Sequence, residues 1–122
     1  MNDLYPGQVF TYQSRKTEQA SRVIICSLEN HPEFGNIAHI SVEGVALRNP
    51  REKDKVTDII YHMPFDETAL RESLVELEAT RQVLPDFQEG YATWKEAADS
   101  GHAGVFNVSV ADAVDFIEQS MR

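Results

Sequence analysis

The sequence predicts an α+β fold, with a four-to-five-stranded, mainly antiparallel sheet and three helices packed on one face. Residues 1–63 are rich in β-branched and alternating apolar side chains, which is typical of strands. Residues 64–122 instead carry leucines and aromatic residues at helical spacing. No repeat or linker divides the chain, so we expect a single domain over residues 1–122.

The first half holds four segments with the composition of strands. They cover residues 7–13, 21–29, 37–47 and 59–63. The stretch "NHPEFGN" at 30–36 predicts a turn between the second and third of them. Residues 48–58 contain seven charged residues and a proline, which predicts a solvated connection. Gly44 predicts a bulge or bend within the third strand.

The second half opens with a predicted helix over about residues 67–82. Asp66 is placed to cap it, because a carboxylate oxygen can accept from the free amides of a first turn. Leu70, Leu74 and Leu77 then recur at i, i+4 and i+7, which puts them on one face of a helix.

A second helix is predicted between Pro85, which suits a first turn, and Gly101, which is placed to end it. Its apolar stripe consists of Phe87, Tyr91, Trp94 and Ala98. Residues 103–108 predict a short fifth strand. The stretch "SVAD" at 109–112 resembles a capping box with Asp in the place of Glu, and it predicts the start of a third helix.

Negative charge is concentrated in one part of the chain. The formal net charge is −9, and residues 66–99 hold nine acidic and three basic residues, a net charge of −6. Such a segment repels phosphate backbones and anionic lipids, so we expect neither nucleic acid nor a membrane as a partner. A basic protein would be attracted, although acidic helices also serve simply to keep a protein soluble.

The sequence also indicates a compartment. Cys26 is the single cysteine, so the chain makes no internal disulfide, which favours a reducing environment. The start of the chain has no signal-peptide pattern, and no apolar run approaches the roughly 20 residues that span a bilayer. We therefore expect a cytoplasmic protein.

Two histidines form the main candidate for a chemical site. Strand alternation places His39 and Glu43 on an outer sheet face together with Ile60 and His62. If the register allows, the two imidazoles meet, and with Glu43 they would supply three zinc ligands or an acid–base group. The alternative is a pair of ordinary hydrogen-bonded imidazoles, because no spacing such as H-x-x-x-H fixes the ligands locally. We expect no metal or other cofactor.

Other catalytic patterns are missing. Ser41 and Ser109 lack a nucleophile-elbow context, and Ser109 is better explained as a helix cap. Cys26 lies in an apolar run, where a thiol is inert. The chain has no glycine-rich phosphate loop or dinucleotide fingerprint. These observations favour a binding protein over an enzyme.

The chain resembles known proteins in type. The segments "GNIAHI", "HMPFDETAL", "LPDFQEGYATWKEA" and "AGVFNVSVADAVDFIE" resemble stretches of small bacterial proteins. In size, acidity, single cysteine and missing catalytic motif, the chain is similar to the cytosolic immunity proteins of bacterial toxin systems, which block a toxin by binding it. The resemblance implies a binding protein and assigns no role to any individual residue.

We therefore predict a small acidic protein-binding module that neutralises a basic partner, such as a toxin domain. Tyr91 is predicted as its aromatic anchor, within the following set of partner-binding residues: Glu72, Glu76, Glu89, Tyr91, Glu96 and Asp99. Two alternatives remain open. One is a small metal-dependent or acid–base enzyme that uses His39, Glu43 and His62. The other is a homo-oligomer, such as a homodimer, in which a second copy covers an outer sheet face with Ile60 exposed.

Overall fold

The structure, a computed structural model, describes residues 3–51 and 56–121. One five-stranded sheet runs through them, with every neighbouring pair antiparallel and the order β4-β3-β2-β1-β5. The strands are β1 Gln8–Tyr12, β2 Arg22–His31, β3 Gly35–Arg48, β4 Val56–Asp66 and β5 Leu74–Thr80. The helices are α1 Glu67–Ser73, α2 Gln88–Asp99 and α3 Val110–Ser120. The predicted α+β class and antiparallel sheet are confirmed.

A hairpin of β2 and β3 forms the centre of the sheet. His31 pairs with Gly35, whose φ of 74° suits glycine, and residues 32–34 connect the strands. Nδ1 of His31 accepts hydrogen bonds from the backbone amides of Glu33 and Phe34, at 3.0 and 3.3 Å. This histidine therefore stabilises the predicted turn. The predicted connection over residues 48–58 lies partly outside the described residues, at 52–55.

The main hydrophobic core lies on one face of the sheet. Ile25 of β2 and Ile40 of β3 point into it and have no exposed surface. Leu70 of α1 and Val114 of α3 are equally buried and cover the same face. Burying a side chain of this size stabilises the fold by about 1.5–3 kcal/mol.

Helix α2 covers the opposite face. Its residues Trp94 and Ala98 form a second, smaller cluster with Ile37, whereas Ala38, the next residue of β3, belongs to the main core. Because neighbouring residues of a strand point to opposite faces, α2 lies across the sheet from α1 and α3. The prediction that all three helices pack on one face is therefore wrong.

Residues 74–80 form a strand, where the sequence predicts a helix that continues to 82. Helix α1 ends at Ser73, and Leu74 is extended, with φ of −72° and ψ of 141°. Strand β5 then pairs antiparallel with β1, where Leu74 lies opposite Tyr12. Strand β1 offers a free edge of backbone donors and acceptors, and pairing with that edge overrides the local helical spacing of the leucines.

Residues 103–108 make only a local contact in place of the predicted strand. Phe106 forms an isolated parallel bridge with Phe65 of β4. The amide of Phe106 donates to the carbonyl of Pro64 at 2.9 Å, and the amide of Asp66 donates to the carbonyl of Phe106 at 2.8 Å. The segment is thus held against the end of β4 without a ladder.

The predicted helix ends are confirmed at three positions. Asp66 caps α1, since its Oδ2 accepts from the amide of Ala69 at 3.0 Å. Ser109 caps α3 in the same way, with its Oγ 3.1 Å from the amide of Asp112. Gly101, with φ of 79°, follows the end of α2. Within the described ranges, none of the helices combines the length and apolar character that crossing a bilayer requires.

Candidate functional site

Helix α2 comes into direct contact with β4 at Gly90. A Cβ at position 90 would lie 2.8 Å from the Cβ of His62, which is closer than such atoms approach in proteins. Only glycine permits this contact. A surface groove of about 720 Å³ runs beside it. The residues that line the groove are Tyr61, His62, Asp86, Glu89, Gly90, Thr93 and Trp94.

A bulge in β4 turns His62 towards α2. Two residues of β4, Tyr61 and His62, lie opposite the single residue Ser41 of β3. The hydroxyl of Ser41 donates to the backbone carbonyl of Tyr61 at 2.6 Å. Because the bulge shifts the alternation, Ile60 and Met63 both reach the main core. The prediction that Ile60 is exposed on an outer face is therefore wrong.

Three side chains form a hydrogen-bonded chain beneath the groove. Nε2 of His39 lies 2.5 Å from Oε1 of Glu29, and Nδ1 of His39 lies 2.9 Å from Nε2 of His62. The rings of Tyr91 and Trp94 pack at steep angles against the fully buried His39, with centroid distances of 4.7 and 4.9 Å. The contact between His39 and His62, which the sequence left open, does form, but under a helix and not on an open face.

This environment keeps both imidazoles neutral. Burial lowers the pKa of His39, although Glu29 acts in the opposite direction. Burial, together with the neighbouring His39, lowers the pKa of His62 to about 4. Near pH 7 each ring therefore carries one proton.

The hydrogen bonds assign the position of each proton. The carboxylate of Glu29 can only accept, so His39 carries its proton on Nε2. Nδ1 of His39 must then accept, so His62 donates from its own Nε2. Nδ1 of His62 is left without a proton. In the described part of the chain no fully buried side-chain nitrogen or oxygen lacks a partner, so this unpartnered Nδ1 keeps some exposed surface, and His62 itself lines the groove.

We expect both His39 and His62 to be Nε2–H tautomers at pH 7. Long-range ¹H–¹⁵N correlation spectra of the imidazoles would measure this directly, since protonated and unprotonated ring nitrogens resonate far apart. The exposed His102 is the internal control and should show a mixture of tautomers. A proton on Nδ1 of either His39 or His62 would contradict the assigned order of hydrogen bonds.

Glu43 does not join the two histidines. Its carboxylate accepts two hydrogen bonds from Arg81, at 2.7 and 2.9 Å, and these lower the pKa of Glu43. Glu29 occupies the position beside His39 that the strand pattern predicted for Glu43. Among the described residues, no three or more His, Cys, Asp or Glu side chains are grouped so that they could hold a metal ion. The geometry therefore does not support a zinc site or an acid–base group built from His39, Glu43 and His62.

The residues predicted to bind a partner do not share one surface. Four of them belong to α2, and of these Glu89 lines the groove, Tyr91 packs against His39, and Glu96 and Asp99 are exposed further along the helix. Glu72 is exposed at the end of α1, on the opposite face of the sheet. Glu76 is exposed on β5, at the sheet edge far from β4, the strand that α2 contacts. The acidic segment 66–99 is thus divided between two faces and an edge.

Several residues of the groove, and Glu29 beneath it, were not identified from the sequence. Glu29 could have been found, because a short hairpin connection over 32–34 sets it opposite Ile37, two positions from His39 on the same face. Tyr61 and Asp86 gave no signal of this kind. Their positions depend on the β4 bulge and on how α2 docks, and both are settled by distant contacts.

Comparison with protein-family models, curated proteins and solved structures finds no match for this chain. The fold and the groove therefore define its class: an α+β protein with an acidic surface groove between a helix and a sheet. A neutral acceptor nitrogen, two carboxylates and two aromatic rings surround that groove.

Proposed function

We propose that this protein is a small cytoplasmic binding module that neutralises a basic partner, such as a toxin domain, as immunity proteins do. This proposal is based on the acidic, exposed side of α2 and of the groove beside it. Asp86, Glu89, Glu96 and Asp99 are all exposed there. Lys95 is the single basic residue between positions 86 and 99, and it pairs with Asp99 at 3.1 Å.

Such a surface acts mainly on the rate of association. Charge complementarity accelerates encounter with a basic protein by roughly 10- to 1,000-fold at low salt. Aromatic anchors then slow release. Tyr61, with 52% of its surface exposed at the groove, suits that role better than Tyr91, which is half-buried against His39. The proposed anchor is therefore Tyr61.

Several reactive side chains of the described chain have structural roles instead. The hydroxyl of Ser41 closes the β4 bulge, and the hydroxyl of Ser109 caps α3. Cys26 is buried beside Ser41 at 3.2 Å, and burial raises the pKa of its thiol, so it is a poor nucleophile. These roles support a binding protein.

A second copy of this chain suits the surface less well than a basic protein does. Two α2 surfaces of the same negative sign repel each other. The homo-oligomer alternative also rested on an exposed Ile60, and that side chain is in the main core.

The proposal is tested by reversing charges on α2. A basic partner is captured on the immobilised protein and eluted with salt. It is then identified and purified. Reversing Glu89 and Glu96 to Lys should slow association with this partner by at least about tenfold at low salt and flatten its salt dependence. Stopped-flow kinetics over a series of salt concentrations measures both effects. Stability should change little, because exposed charges contribute little to folding.

The matched control reverses Glu72 and Glu76, which alters net charge by the same amount away from α2. This pair should slow association much less than the α2 pair. Equal effects of the two pairs would mean that only total charge matters, and no effect of the α2 pair would place the binding surface elsewhere.

A further inference from the structure

We propose that the groove between α2 and β4 takes the guanidinium group of an arginine side chain from the basic partner. This inference rests on the proposed function and specifies its central contact. The groove is open to solvent and has a volume of about 720 Å³, which leaves room for a side chain. Its lining combines three features that a guanidinium ion requires, and each is independent of the others.

The first feature is a pair of available carboxylates. Asp86 and Glu89 line the groove, and neither forms an ion pair or side-chain hydrogen bond with another described residue. Two acidic side chains of the neighbouring strands are engaged instead: Glu29 of β2 binds His39, and Glu43 of β3 binds Arg81. No basic side chain lines the groove within the described residues. A cation is therefore the ligand whose charge the groove complements.

The second feature is the neutral acceptor on His62. Glu29 and His39 fix the tautomer of His62, a residue that lines the groove, so that its Nδ1 is unprotonated and is not fully buried. A guanidinium ion has five N–H donors and no acceptor, so it can donate to this nitrogen while it also pairs with a carboxylate. An anion, or a ligand with only acceptors, would leave Nδ1 unpartnered.

The third feature is aromatic. The half-exposed ring of Tyr61 and the ring of Trp94 both line the groove. A planar guanidinium stacks on an aromatic face and remains weakly hydrated, whereas the ammonium of lysine is a compact, strongly hydrated point charge. This difference favours arginine over lysine as the occupant.

The closing experiment uses the isolated protein and small probes. N-acetyl-arginine methylamide is titrated and followed by amide chemical shifts, with an expected dissociation constant on the order of 1 mM. The shifts should concentrate at His62, Gly90 and Thr93. The lysine analogue should bind at least about threefold more weakly, and the neutral citrulline analogue should not bind measurably.

Matched variants locate the site. Glu89→Gln and Asp86→Asn should each weaken arginine binding at least threefold, while Glu96→Gln, on the same helix outside the groove, should leave it unchanged. Tyr61→Ala should reduce the preference for arginine over lysine. Equal binding of citrulline, or an equal effect of Glu96→Gln, would overturn the proposal.

The outcomes separate this inference from the proposed function. If the arginine probe binds as described but charge reversal on α2 does not change the rate of partner association, the guanidinium site stands and the proposed function fails. If partner association depends on α2 but the arginine probe does not bind and Asp86→Asn has no effect, the guanidinium site is wrong and the proposed function stands.

Discussion

Replacing Arg15 by methionine is expected to destabilise the fold by about 3–5 kcal/mol. The guanidinium of Arg15 contacts three carboxylates: Glu18 at 2.6 and 2.8 Å, and Asp115 and Glu118 at 3.0 Å each. Only 2% of the Glu18 side chain is exposed, so removing its cation leaves a buried negative charge with a single remaining hydrogen-bond donor among the described residues, the amide of Ala46. The hydrogen bonds of Arg15 also link the chain before β2 to α3, which covers the main core.

The pKa of Glu18 also depends on Arg15. Burial alone would raise the pKa of Glu18, but hydrogen bonds from Arg15 and from the amide of Ala46, the latter at 2.6 Å, hold it below its usual value. Urea denaturation at pH 7 measures the loss in the free energy of unfolding. Lys16→Met, an exposed neighbour, is the control and should change stability by less than about 0.5 kcal/mol. A loss below about 1 kcal/mol for Arg15→Met would show that the cluster contributes little.

Acidification from pH 7 to pH 4.5 is expected to destabilise the protein by about 1–2 kcal/mol through the two histidines. The pKa of His62 falls from its usual 6.5 to about 4 on folding, and the pKa of His39 is also lowered. Between pH 6.5 and about pH 4 the unfolded chain binds more protons than the folded one, so the free energy of unfolding falls as pH drops below 6.5. The lowered pKa of His62 sets an upper limit of about 3 kcal/mol, which solvent screening in the groove reduces.

The pH range in which the histidines affect stability can be separated from the range in which the carboxylates affect it. Glu18 and Glu43 also have lowered pKa values, but their stabilisation is present above about 4.5 and is lost only as pH falls further. Urea denaturation at pH 7, 6, 5 and 4.5 therefore reports mainly on the histidines. His62→Gln, which keeps an N–H donor towards His39, should flatten this dependence. A stability that stays constant from pH 7 to 5 would contradict the assigned burial of the pair.

The features predicted correctly from the sequence are those with local signals. The apolar runs of the β2–β3 hairpin, the turn between its strands, and the caps at Asp66 and Ser109 all appear where they are expected. The apolar stripe of α2 is also confirmed, since Trp94 and Ala98 are buried. Each of these signals acts within a few residues, so a short stretch of sequence contains all of it.

The errors arise where the chain meets a distant segment. Residues 74–80 have leucines at helical spacing, yet β1 offers them a free edge, and the backbone hydrogen bonds of that edge outweigh the local preference. The bulge opposite Ser41 moved Ile60 into the core and turned His62 to α2. A shift of one residue in a strand reverses which face every following side chain occupies.

The sequence by itself determined the class of fold, most element positions, the acidity of the segment 66–99 and the possibility that His39 and His62 meet. Only the tertiary structure decided that Glu29, and not Glu43, binds His39, and that α2 closes over the pair to form an acidic groove. Composition and periodicity are properties of a short stretch of chain. Strand register and helix docking depend instead on hydrogen bonds and packing between residues far apart in the sequence.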